Sequence, residues 1–354
     1  MTLTAHNFEK STGMFVQAVE NRLFSAGALA IGCRDRVFVK KAAGYVSYNE
    51  GASAVRTDTL FDMASLSKIL GPTMCALKLI DGGTVSPDDR ITSFLPGVPD
   101  DKAHITIRDL MTHTSGLPAE IFLYRECKSP DDAVSVILNR PLHYPTGTKT
   151  VYSCMGYILL GKILERITGK RLDRLSQDLV FTPLGMSSTG YRPTELNLPA
   201  DNIAYTEVKT LWGCGMCGAV HDENARFLGG VSGNAGIFSD LDDMISFARA
   251  LSVNHAGLSD GLFESAVSNY TRGFDDNRGL GFQLGGPELT FMGHKFGESC
   301  YGHTGYTGTS MLIDKESGVY VILLTNRVHP TRNTPLFFEF RRNLHDTVYD
   351  DLFS

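Results

Sequence analysis

The two ends of the chain carry strand patterns, whereas its middle carries mainly helical ones. Near the amino terminus, the apolar runs 28–32 and 37–46 flank a polar turn and predict an antiparallel hairpin. Near the carboxyl terminus, the apolar runs 309–313 and 319–325 predict a second hairpin. We therefore expect an α+β fold, in which an antiparallel β-sheet built from both ends is flanked by helices, with a mainly helical second lobe inserted between the two halves.

The same pattern predicts where the two lobes begin and end. The chain has 354 residues, which is long enough for two lobes rather than one small domain. We expect residues 1–60 together with 235–354 to form the sheet domain, and residues 61–234 to form the mainly helical lobe. The cleft between the lobes is the expected place for an active site.

Several segments have the apolar spacing of helices. One begins at Ser65 and ends at Asp81, and Pro72 within it predicts a distortion because proline removes a backbone hydrogen bond. Ser239 and Asp242 resemble a capping box and predict the start of another helix at residue 241. The remaining predicted helices are 8–24, 106–112, 158–167 and 336–352, and residues 202–236 predict a long structured loop.

Charge and hydropathy exclude several classes of partner. The chain carries 33 Lys and Arg against 39 Asp and Glu, so it offers no basic field for a nucleic acid backbone. No apolar run approaches a membrane span, and the first ten residues lack the pattern of a secretory signal. We expect a cytoplasmic protein with neither nucleic acid nor membrane as partner, or a secreted or periplasmic one if a signal peptide was removed. The sequence leaves the oligomeric state open.

The seven cysteines are an odd number in a long chain, which favours reduced thiols over a disulfide framework. Cys214, Cys217 and His221 have the chemistry of zinc ligands, but a structural zinc site needs four ligands and no second cysteine pair follows. Thiols in a glycine-rich loop are the favoured interpretation, and the role of Cys214 and Cys217 stays open.

The motif Ser65-Leu66-Ser67-Lys68 has the residue types of a serine nucleophile and its base. In a helix that starts at Ser65, Lys68 lies one turn along on the same face, so a hydroxyl and an amine converge. A serine hydroxyl attacks a carbonyl only with a base beside it, and a lysine of lowered pKa is one such base. The tetrapeptide alone is a frequent chance match, so other motifs must decide.

Two further motifs supply groups that such a reaction needs. Tyr152-Ser153-Cys154 presents a phenol that could take or relay a proton, and His303-Thr304-Gly305 offers a small-residue strand edge to a substrate. With Ser65 and Lys68, they resemble the three motifs of serine β-lactamases and penicillin-binding proteins. The chain looks like the branch that contains class C β-lactamases, D-aminopeptidases and esterases. Residues 107–117 and 229–239 resemble stretches of that branch as well.

The resemblance implies a β-lactamase/transpeptidase-like fold and a role for each matching residue. Ser65 is expected to form an acyl-enzyme, while Lys68 and Tyr152 share the proton transfers, and which of the two is the base is left open. The backbone N–H groups of Ser65 and Tyr306 are expected to form the oxyanion hole. The expected substrate-binding residues are His303, Thr304, Gly305, Tyr306 and Cys154. No metal or organic cofactor is expected.

Two positions depart from the family pattern. The second motif usually ends in Asn, whose amide bonds a substrate amide, whereas Cys154 is a weak hydrogen-bonding group. The third motif often begins with Lys, whereas His303 has a reference pKa of about 6.5 and would be mostly neutral at pH 7 unless a neighbour raises it. Both changes favour an ester, or an amide without an essential carboxylate, over β-lactams and D-Ala-D-Ala ends. Arg327 could bind a carboxylate in place of the lysine, or be a solvated strand end.

Three functions are open at this point. The first is a serine hydrolase acting on esters or amides, with weak or no β-lactamase activity. The second is a serine-type amidase or peptidase acting on peptidoglycan-derived muropeptides or D-amino-acid peptides, because residues 220–225 and 325–330 resemble family members that trim muropeptides. The third is an inactive family member used as a binding module, which the presence of the nucleophile and both candidate bases disfavours.

Overall fold

Strands lie near both ends of the chain, and helices dominate the region between them. The computed structural model describes residues 7–196, 200–210, 213–214, 217–286 and 290–353. The strands are β1 (Ala26–Cys33), β2 (Arg36–Gly44), β3 (Phe61–Asp62), β4 (Gly190–Tyr191), β5 (Lys209–Thr210), β6 (Gly213–Cys214), β7 (Ile237–Ser239), β8 (Gln283–Leu284), β9 (Cys300–Thr304), β10 (Ser310–Asp314) and β11 (Val319–Thr325). The α-helices are α1 (Glu9–Glu20), α2 (Met74–Asp81), α3 (Ile107–Met111), α4 (Leu123–Glu126), α5 (Ala133–Leu138), α6 (Cys154–Thr168), α7 (Leu172–Ser176), α8 (Glu223–Phe227), α9 (Leu241–Asn254), α10 (Asp260–Ala266) and α11 (Leu336–Phe353).

The main sheet combines strands from the two ends of the chain. Within the described residues it has six strands in the order β2-β1-β11-β10-β9-β8, and each neighbouring pair is antiparallel. β1 pairs with β11 in the register Gly27↔Thr325, so the amino-terminal hairpin lies directly beside the carboxyl-terminal one. The predicted α+β fold with an antiparallel sheet flanked by helices is confirmed.

Helices cover both faces of the main sheet. Leu29 and Ile31 of β1 belong to the hydrophobic cluster formed with α1 and α11 on one face. Ala28 and Ala30 point the other way and join the larger core, which includes Phe247 of α9. Because both faces are buried, β1 is an uninterrupted run of buried residues rather than an alternation of apolar and polar ones.

The region between the sheet halves contains most of the helices and two small sheets. β7 pairs with both β3 and β4, and β5 pairs with β6. Residues 202–236, which predict a structured loop, include β5, β6 and the short helix α8. The division of the chain into residues 1–60 with 235–354, and 61–234, stays a prediction.

The helical segment after Ser65 is distorted around its proline. Ala64–Leu66 forms a 3₁₀ turn, and Pro72 lies inside a π-helix at Ile69–Thr73 that leads into α2. Proline lacks the N–H that the α-helical bond needs and crowds the preceding turn, so the helix widens there. The predicted distortion is confirmed.

One predicted helix cap and one predicted helix start are wrong, whereas α9 begins at Leu241 as predicted. Asp240 caps α9 through its own side chain, whereas Ser239 is the last residue of β7. α6 begins at Cys154 rather than at Ile158, because the Ser153 side chain caps it one turn earlier. The apolar spacing did not predict this first turn. Because α6 begins at Cys154, this residue lies inside the helix.

The terminal helices α1 and α11 pack together on one face of the sheet. The Ser11 N–H donates a hydrogen bond to the Asp351 carboxylate at 3.0 Å and joins the two helices directly. Among the described helices, none, including the 18-residue α11, combines the length and apolarity needed to span a membrane.

Candidate active site

Ser65 lies in a tight turn between β3 and the π-helix. Ala64, the residue before it, has a φ of 46°, in the left-handed region that a residue with a side chain rarely adopts. The buried carboxylate of Asp62 accepts a hydrogen bond from the Ala64 N–H at 2.8 Å. Its other oxygen accepts one from the His221 N–H at 2.7 Å. Asp62 thus holds the Ser65 turn and attaches it to the loop before α8.

Lys68 is fully buried, and its amine contacts Ser65. Its Nζ lies 3.1 Å from Ser65 Oγ, 2.8 Å from the Asn234 carbonyl oxygen and 3.6 Å from Cys154 Sγ. Burial disfavours the charged amine, but pairing with ionised Cys154 or Tyr152 favours it, and the balance raises the pKa of Lys68. The charge of Lys68 is therefore coupled to the charges of Cys154 and Tyr152.

The Tyr152 ring lies beside the Lys68 amine, with 4.9 Å between Nζ and the ring centroid. Burial raises the pKa of the Tyr152 phenol, although the Lys68 charge opposes that rise. The buried hydroxyl has no hydrogen-bond partner within the described residues, while Ser65 and Lys68 stabilise its ionised form. A buried hydroxyl without a partner is available to a substrate or to a proton in transit.

His113 packs against the second motif and holds its backbone. Its ring centroid lies 4.6 Å from that of Tyr152, and its Nδ1 accepts a hydrogen bond from the Ser153 N–H at 3.1 Å. Burial lowers the pKa of His113 well below its usual value, so the ring is neutral and its proton lies on Nε2. His113 therefore fixes the Tyr152 segment without carrying a charge.

His303 is also buried and neutral. Its Nδ1–H donates to the Thr304 carbonyl at 2.8 Å, and no described residue bonds its Nε2. Burial, followed by the charges of Arg278 and Lys68, lowers the pKa of His303 well below its usual value. His303 thus does not supply the cation that a lysine provides at this position in the family pattern.

Gly305 allows the loop between β9 and β10 to approach the Ser65 turn. Thr309 Oγ1 donates a hydrogen bond to the Met63 carbonyl at 3.0 Å, and a Cβ added at Gly305 would lie 2.3 Å from that same carbonyl oxygen. Only glycine permits this contact. Across the described chain, the N–H groups of Ser65 and Tyr306 donate to no other segment, which leaves both available for an oxyanion.

A cleft of about 250 Å³ brings most of the predicted site residues together. The predicted residues in its lining are Ser65, Tyr152, His303, Thr304, Gly305 and Tyr306. Lys68 and Cys154 lie behind the lining, with 3.6 Å between Lys68 Nζ and Cys154 Sγ. The chemical role of each residue stays a prediction, but three separate segments of the chain do converge on one cleft.

Three buried arginines also line this cleft, and the sequence pattern singled out only one of them. Arg278 is paired with the Asp276 carboxylate, with 2.7 Å between Nε and Oδ2. Arg327 is 2% exposed, so its interpretation as a solvated strand end is wrong. Arg341 belongs to α11, where an arginine in a terminal helix gives no signal of a site.

Asn234 is a further residue that the pattern left without a role. Its carbonyl accepts the shortest of the Lys68 hydrogen bonds, at 2.8 Å. Its side chain donates to Asp222 at 3.0 Å and accepts from Ser232 at 2.7 Å. Residues 229–239 resemble a stretch of the family, but a hydrogen bond accepted by the main chain leaves no signature in residue types.

The stretch 220–225 supports the cleft from the side of α8. The His221 ring stacks on Tyr306 with 5.9 Å between centroids, and the Asp222 side chain caps α8. Asn224 bonds the backbone on both sides of Phe122, through Ile121 and Leu123. These residues position neighbouring segments rather than line the cleft.

The zinc interpretation gains no support. The side chain of Cys214 lies outside the described residues, and Cys217 lies within them as a partly buried residue of the loop before α8. In the part of the chain that the structure describes, no group of three or more His, Cys, Asp or Glu side chains is arranged to hold a metal ion. The role of the two cysteines stays open.

A family model matches nearly the whole chain. The model described as Beta-lactamase covers residues 13–342. The chain belongs to the β-lactamase family. The resemblance seen in the motifs is therefore confirmed, and this β-lactamase-family protein is a serine hydrolase related to the β-lactamases.

Named relatives of this family member span most of its length. An N-acetylmuramyl-L-alanine amidase of Bacillus subtilis (strain 168) is 31% identical over 341 residues, which cover 86% of this chain and 77% of that protein. A protein of Escherichia coli (strain K12), described as a candidate D-alanyl-D-alanine carboxypeptidase, is 32% identical over 344 residues, covering 84% and 77%. The solved structure of EstCE1, a hydrolase with promiscuous acyltransferase activity, has a TM-score of 0.78 at 22% identity, covering 96% of this chain and 98% of that one.

Proposed function

We propose that this protein hydrolyses esters and small amides through an acyl-enzyme formed on Ser65. The observation that carries the proposal is the 3.1 Å contact between Lys68 Nζ and Ser65 Oγ, in a buried site that opens to the cleft. A lysine cation beside a serine and a tyrosine hydroxyl stabilises the negative charge that develops when a proton leaves either hydroxyl.

The reaction begins when the Lys68–Tyr152 pair has lost one proton. We assign the lost proton to the Tyr152 phenol, which leaves a phenolate beside the Lys68 cation. As Ser65 Oγ attacks the carbonyl carbon, its proton passes to the Tyr152 oxygen. The oxyanion accepts hydrogen bonds from the backbone N–H groups of Ser65 and Tyr306.

The acyl-enzyme forms when the bond to the leaving group breaks. The leaving alcohol or amine takes the proton from Tyr152, which restores the phenolate. Water then attacks the ester bond on Ser65, gives its proton to Tyr152, and the same proton returns to Ser65 Oγ as the acid is released. In each half of the cycle, Tyr152 accepts one proton and gives it up again, so the reaction requires no cofactor.

Cys154 makes esters better substrates than amides in this proposal. The thiol occupies the position where the family pattern usually has Asn, and it lies 3.6 Å from Lys68 Nζ. Burial raises the pKa of Cys154, so it is a neutral thiol and a weak hydrogen-bonding group. We therefore expect weak or no β-lactamase activity. The cytoplasmic location expected from the sequence also stays a prediction.

Labelling and turnover of 4-nitrophenyl butyrate test the acyl-enzyme. We expect the wild-type protein to release 4-nitrophenol and to gain one adduct from a fluorophosphonate probe, located on Ser65 by peptide mass spectrometry. Ser65→Ala should lose both signals, while Ser187→Ala, which changes an exposed serine, should keep both. A wild-type protein with no adduct on Ser65 and no ester turnover would contradict the proposal.

A second candidate is an amidase or peptidase acting on muropeptides or D-amino-acid peptides. It is supported by the named relatives, one an N-acetylmuramyl-L-alanine amidase at 31% identity and the other described as a candidate carboxypeptidase. A panel of N-acetylmuramyl-L-alanyl peptides, D-aminoacyl anilides and nitrocefin, run beside 4-nitrophenyl esters, separates the candidates. Cleavage of a muropeptide faster than any ester would favour the second candidate, and rapid nitrocefin hydrolysis would overturn both preferences.

A further inference from the structure

A second cavity adjoins the cleft of Ser65. It has a volume of about 1040 Å³, against about 250 Å³ for the cleft itself. Its wall comes mainly from the loop 267–277, between α10 and β8, and Gln283 of β8 lines both cavities. Ligand pockets usually have volumes of about 300–1,000 Å³. The cleft alone is therefore small for a substrate, whereas this second cavity, the loop pocket, has room for a large substituent.

Hydrogen bonds hold the wall of the loop pocket in one shape. The Asn269 side chain donates to the Asn277 side chain at 2.7 Å. The buried Thr271 hydroxyl donates to the Asp276 carbonyl at 2.6 Å and accepts from the Arg278 N–H at 2.8 Å. Because these bonds already order the loop, binding of a ligand costs less conformational entropy than it would in a loop that must first be ordered.

Phe274 lies in this wall without the contacts that usually bury an aromatic ring. It is partly buried, yet it belongs to none of the hydrophobic clusters of the described chain and makes no ring contact with another described residue. An aromatic side chain normally buries about 150–250 Å² against apolar partners. Because Phe274 lines the pocket, its ring offers apolar surface to a ligand rather than to the core.

Charged side chains without partners surround the same ring. Arg272, Asp275 and Glu298 line the loop pocket, and none of their side chains forms an ion pair or a hydrogen bond with a described residue. Asp276, in contrast, is bound to Arg278, with 2.7 Å between Oδ2 and Nε. The loop pocket therefore presents one guanidinium donor and two carboxylate acceptors to a ligand.

An aromatic ring among both donors and acceptors favours one kind of ligand. A purely apolar ligand would remove water from the charged groups without replacing its hydrogen bonds. A small cation would be attracted by the carboxylates but repelled by Arg272, and within the described residues no group of three or more His, Cys, Asp or Glu side chains is arranged to hold a metal ion. A sugar has an apolar C–H face for the ring, and its hydroxyl groups both donate and accept hydrogen bonds.

We propose that the loop pocket is a subsite for a sugar carried by the substrate of Ser65. The C–H face of the sugar stacks on Phe274, its hydroxyl groups donate to the two carboxylates, and the guanidinium of Arg272 donates to its oxygen atoms. Gln283 lies where the substrate passes from the cleft into the pocket. This inference rests on the proposed hydrolase function and names its substrate class, which is esters or amides that carry a sugar.

Saturation-transfer NMR tests the pocket without any turnover. Ser65→Ala is mixed with cellobiose or with N,N′-diacetylchitobiose, and we expect saturation to pass from the protein to the ring protons of at least one disaccharide. Ser65→Ala/Phe274→Ala should lose the transfer, whereas Ser65→Ala/Phe274→Trp should retain it because an aromatic ring remains. Ser65→Ala/Phe122→Ala is the matched control, since Phe122 is an exposed aromatic residue outside the pocket lining. No transfer to either disaccharide, or transfer that survives Phe274→Ala, would overturn the proposal.

Substitutions of the two carboxylates test the polar side of the subsite. Asp275→Asn and Glu298→Gln keep the size of each side chain but remove its charge, so each should raise the Kd of the bound disaccharide about three- to tenfold. The dependence of the NMR signal on disaccharide concentration gives that Kd. Glu316→Gln is the control, because Glu316 is exposed between β10 and β11 and lies outside the pocket lining. An unchanged Kd in both carboxylate variants would contradict the sugar subsite.

Two pairs of esters test whether the pocket serves Ser65. The first pair places the sugar on the leaving group: 6-O-butyryl-D-glucose against cyclohexylmethyl butyrate. The second places it on the acyl side: ethyl 4-(β-D-glucopyranosyloxy)butyrate against ethyl 4-(cyclohexyloxy)butyrate. We expect Phe274→Ala to lower the sugar-to-cyclohexyl ratio of kcat/KM about tenfold in at least one pair, and intrinsic reactivity cancels because both proteins act on the same esters. A ratio unchanged by Phe274→Ala in both pairs would overturn the link to Ser65.

The two measurements separate failure of the subsite from failure of the hydrolase proposal. Sugar binding that depends on Phe274, without turnover of any ester, supports the sugar site and contradicts the hydrolase. Turnover of esters without such binding supports the hydrolase and contradicts the sugar site.

Discussion

The Lys68 amine is closer to the Asn234 carbonyl oxygen, at 2.8 Å, than to Ser65 Oγ, at 3.1 Å. The loop that carries Asn234 therefore sets the direction of the amine. Since the Asn234 side chain is bonded to Ser232 and Asp222, Asn234→Ala should release the loop, with a loss of about 1 to 2 kcal/mol of stability and about tenfold in kcat. Urea unfolding and ester turnover measure both. Asn343→Ala, at an exposed position of α11, is the control, and a wild-type-like Asn234→Ala protein would show that the loop does not direct Lys68.

The pH profile of kcat/KM should be set by Tyr152. The free protein must lose a proton from a phenol whose pKa is raised by burial, so kcat/KM should rise about tenfold per pH unit between pH 7 and 9. Tyr152→Phe removes that ionisation and should flatten the profile at a rate about 100-fold or more below that of the wild type. His303 is neutral throughout this range and should add no inflection. A flat wild-type profile would exclude Tyr152 as the group that loses the proton.

Replacing Cys154 should change the choice between amides and esters. Cys154→Asn places an amide donor and acceptor beside Lys68, and we expect the amide-to-ester ratio of kcat/KM to rise about tenfold. Matched butyryl 4-nitroanilide and 4-nitrophenyl butyrate measure that ratio. Cys154→Ala is the control, because it removes the thiol without adding hydrogen-bonding groups. An equal ratio in the Asn and Ala variants would show that this position does not select amides.

Gly305 should tolerate no side chain. A Cβ there would lie 2.1 Å from Thr309 Oγ1 and 2.3 Å from the Met63 carbonyl oxygen, so Gly305→Ala must push the β9–β10 loop away from the Ser65 turn. We expect kcat/KM to fall about 100-fold, since a displacement of about 1 Å in an active site has that effect. Gly297→Ala, where a Cβ would meet nothing within 4 Å, should retain activity. Similar kinetics for the two variants would contradict the close contact.

Acid should destabilise the protein through buried histidines. Burial, then the charge of Arg341, lowers the pKa of His345 to about 3, whereas an unfolded histidine has a pKa of about 6.5. Above pH 6.5 the ring is neutral in both states and contributes nothing. Below pH 6.5 only the unfolded chain gains the proton, so stability should fall by about 1.4 kcal/mol per pH unit for this group until the pH approaches 3.

Urea unfolding at pH 7.5, 5.5 and 4.5 measures that slope. His345→Gln keeps a donor for the Phe291 carbonyl but cannot titrate, so it should lower the stability at pH 7.5 and reduce the dependence on pH. His143→Gln, at an exposed ring, should leave the slope unchanged. An unaltered slope in His345→Gln would show that other groups govern the acid response.

Much of the fold could be predicted because the sequence signals are local. The strands of the two end hairpins are short segments of alternating or continuous apolar residues. Pro72 itself indicates where the helix after Ser65 is distorted. The start of α6 could not be predicted from apolar spacing, since its first turn contains Cys154 and is defined by a side-chain cap. Ser239 fits the cap of α9 by residue type and spacing, whereas in the structure the Asp240 side chain caps the helix.

The candidate site likewise contains some groups that the sequence predicts and others that it does not. Side chains that act by their own chemistry, such as Ser65, Lys68 and Tyr152, lie in motifs that residue types reveal. Groups that act through burial or through the main chain do not. Every residue has a backbone carbonyl like that of Asn234, and the burial of Arg341 at the cleft is visible only in the packed structure.

The pairing of β1 with β11 also determines when the main sheet can form during synthesis of the chain. The Ala26 N–H is bonded to the Asn326 side chain, 300 positions later in the chain. During synthesis the first hairpin must wait with an unpaired edge until nearly the whole chain has emerged, and such long-range pairing folds slowly. The contact between the β9–β10 loop and the Ser65 turn spans 246 positions, so it too forms only after most of the chain has emerged. A prematurely ended chain would therefore carry the nucleophile without its cleft, and hydrolytic activity would arise only in the finished protein.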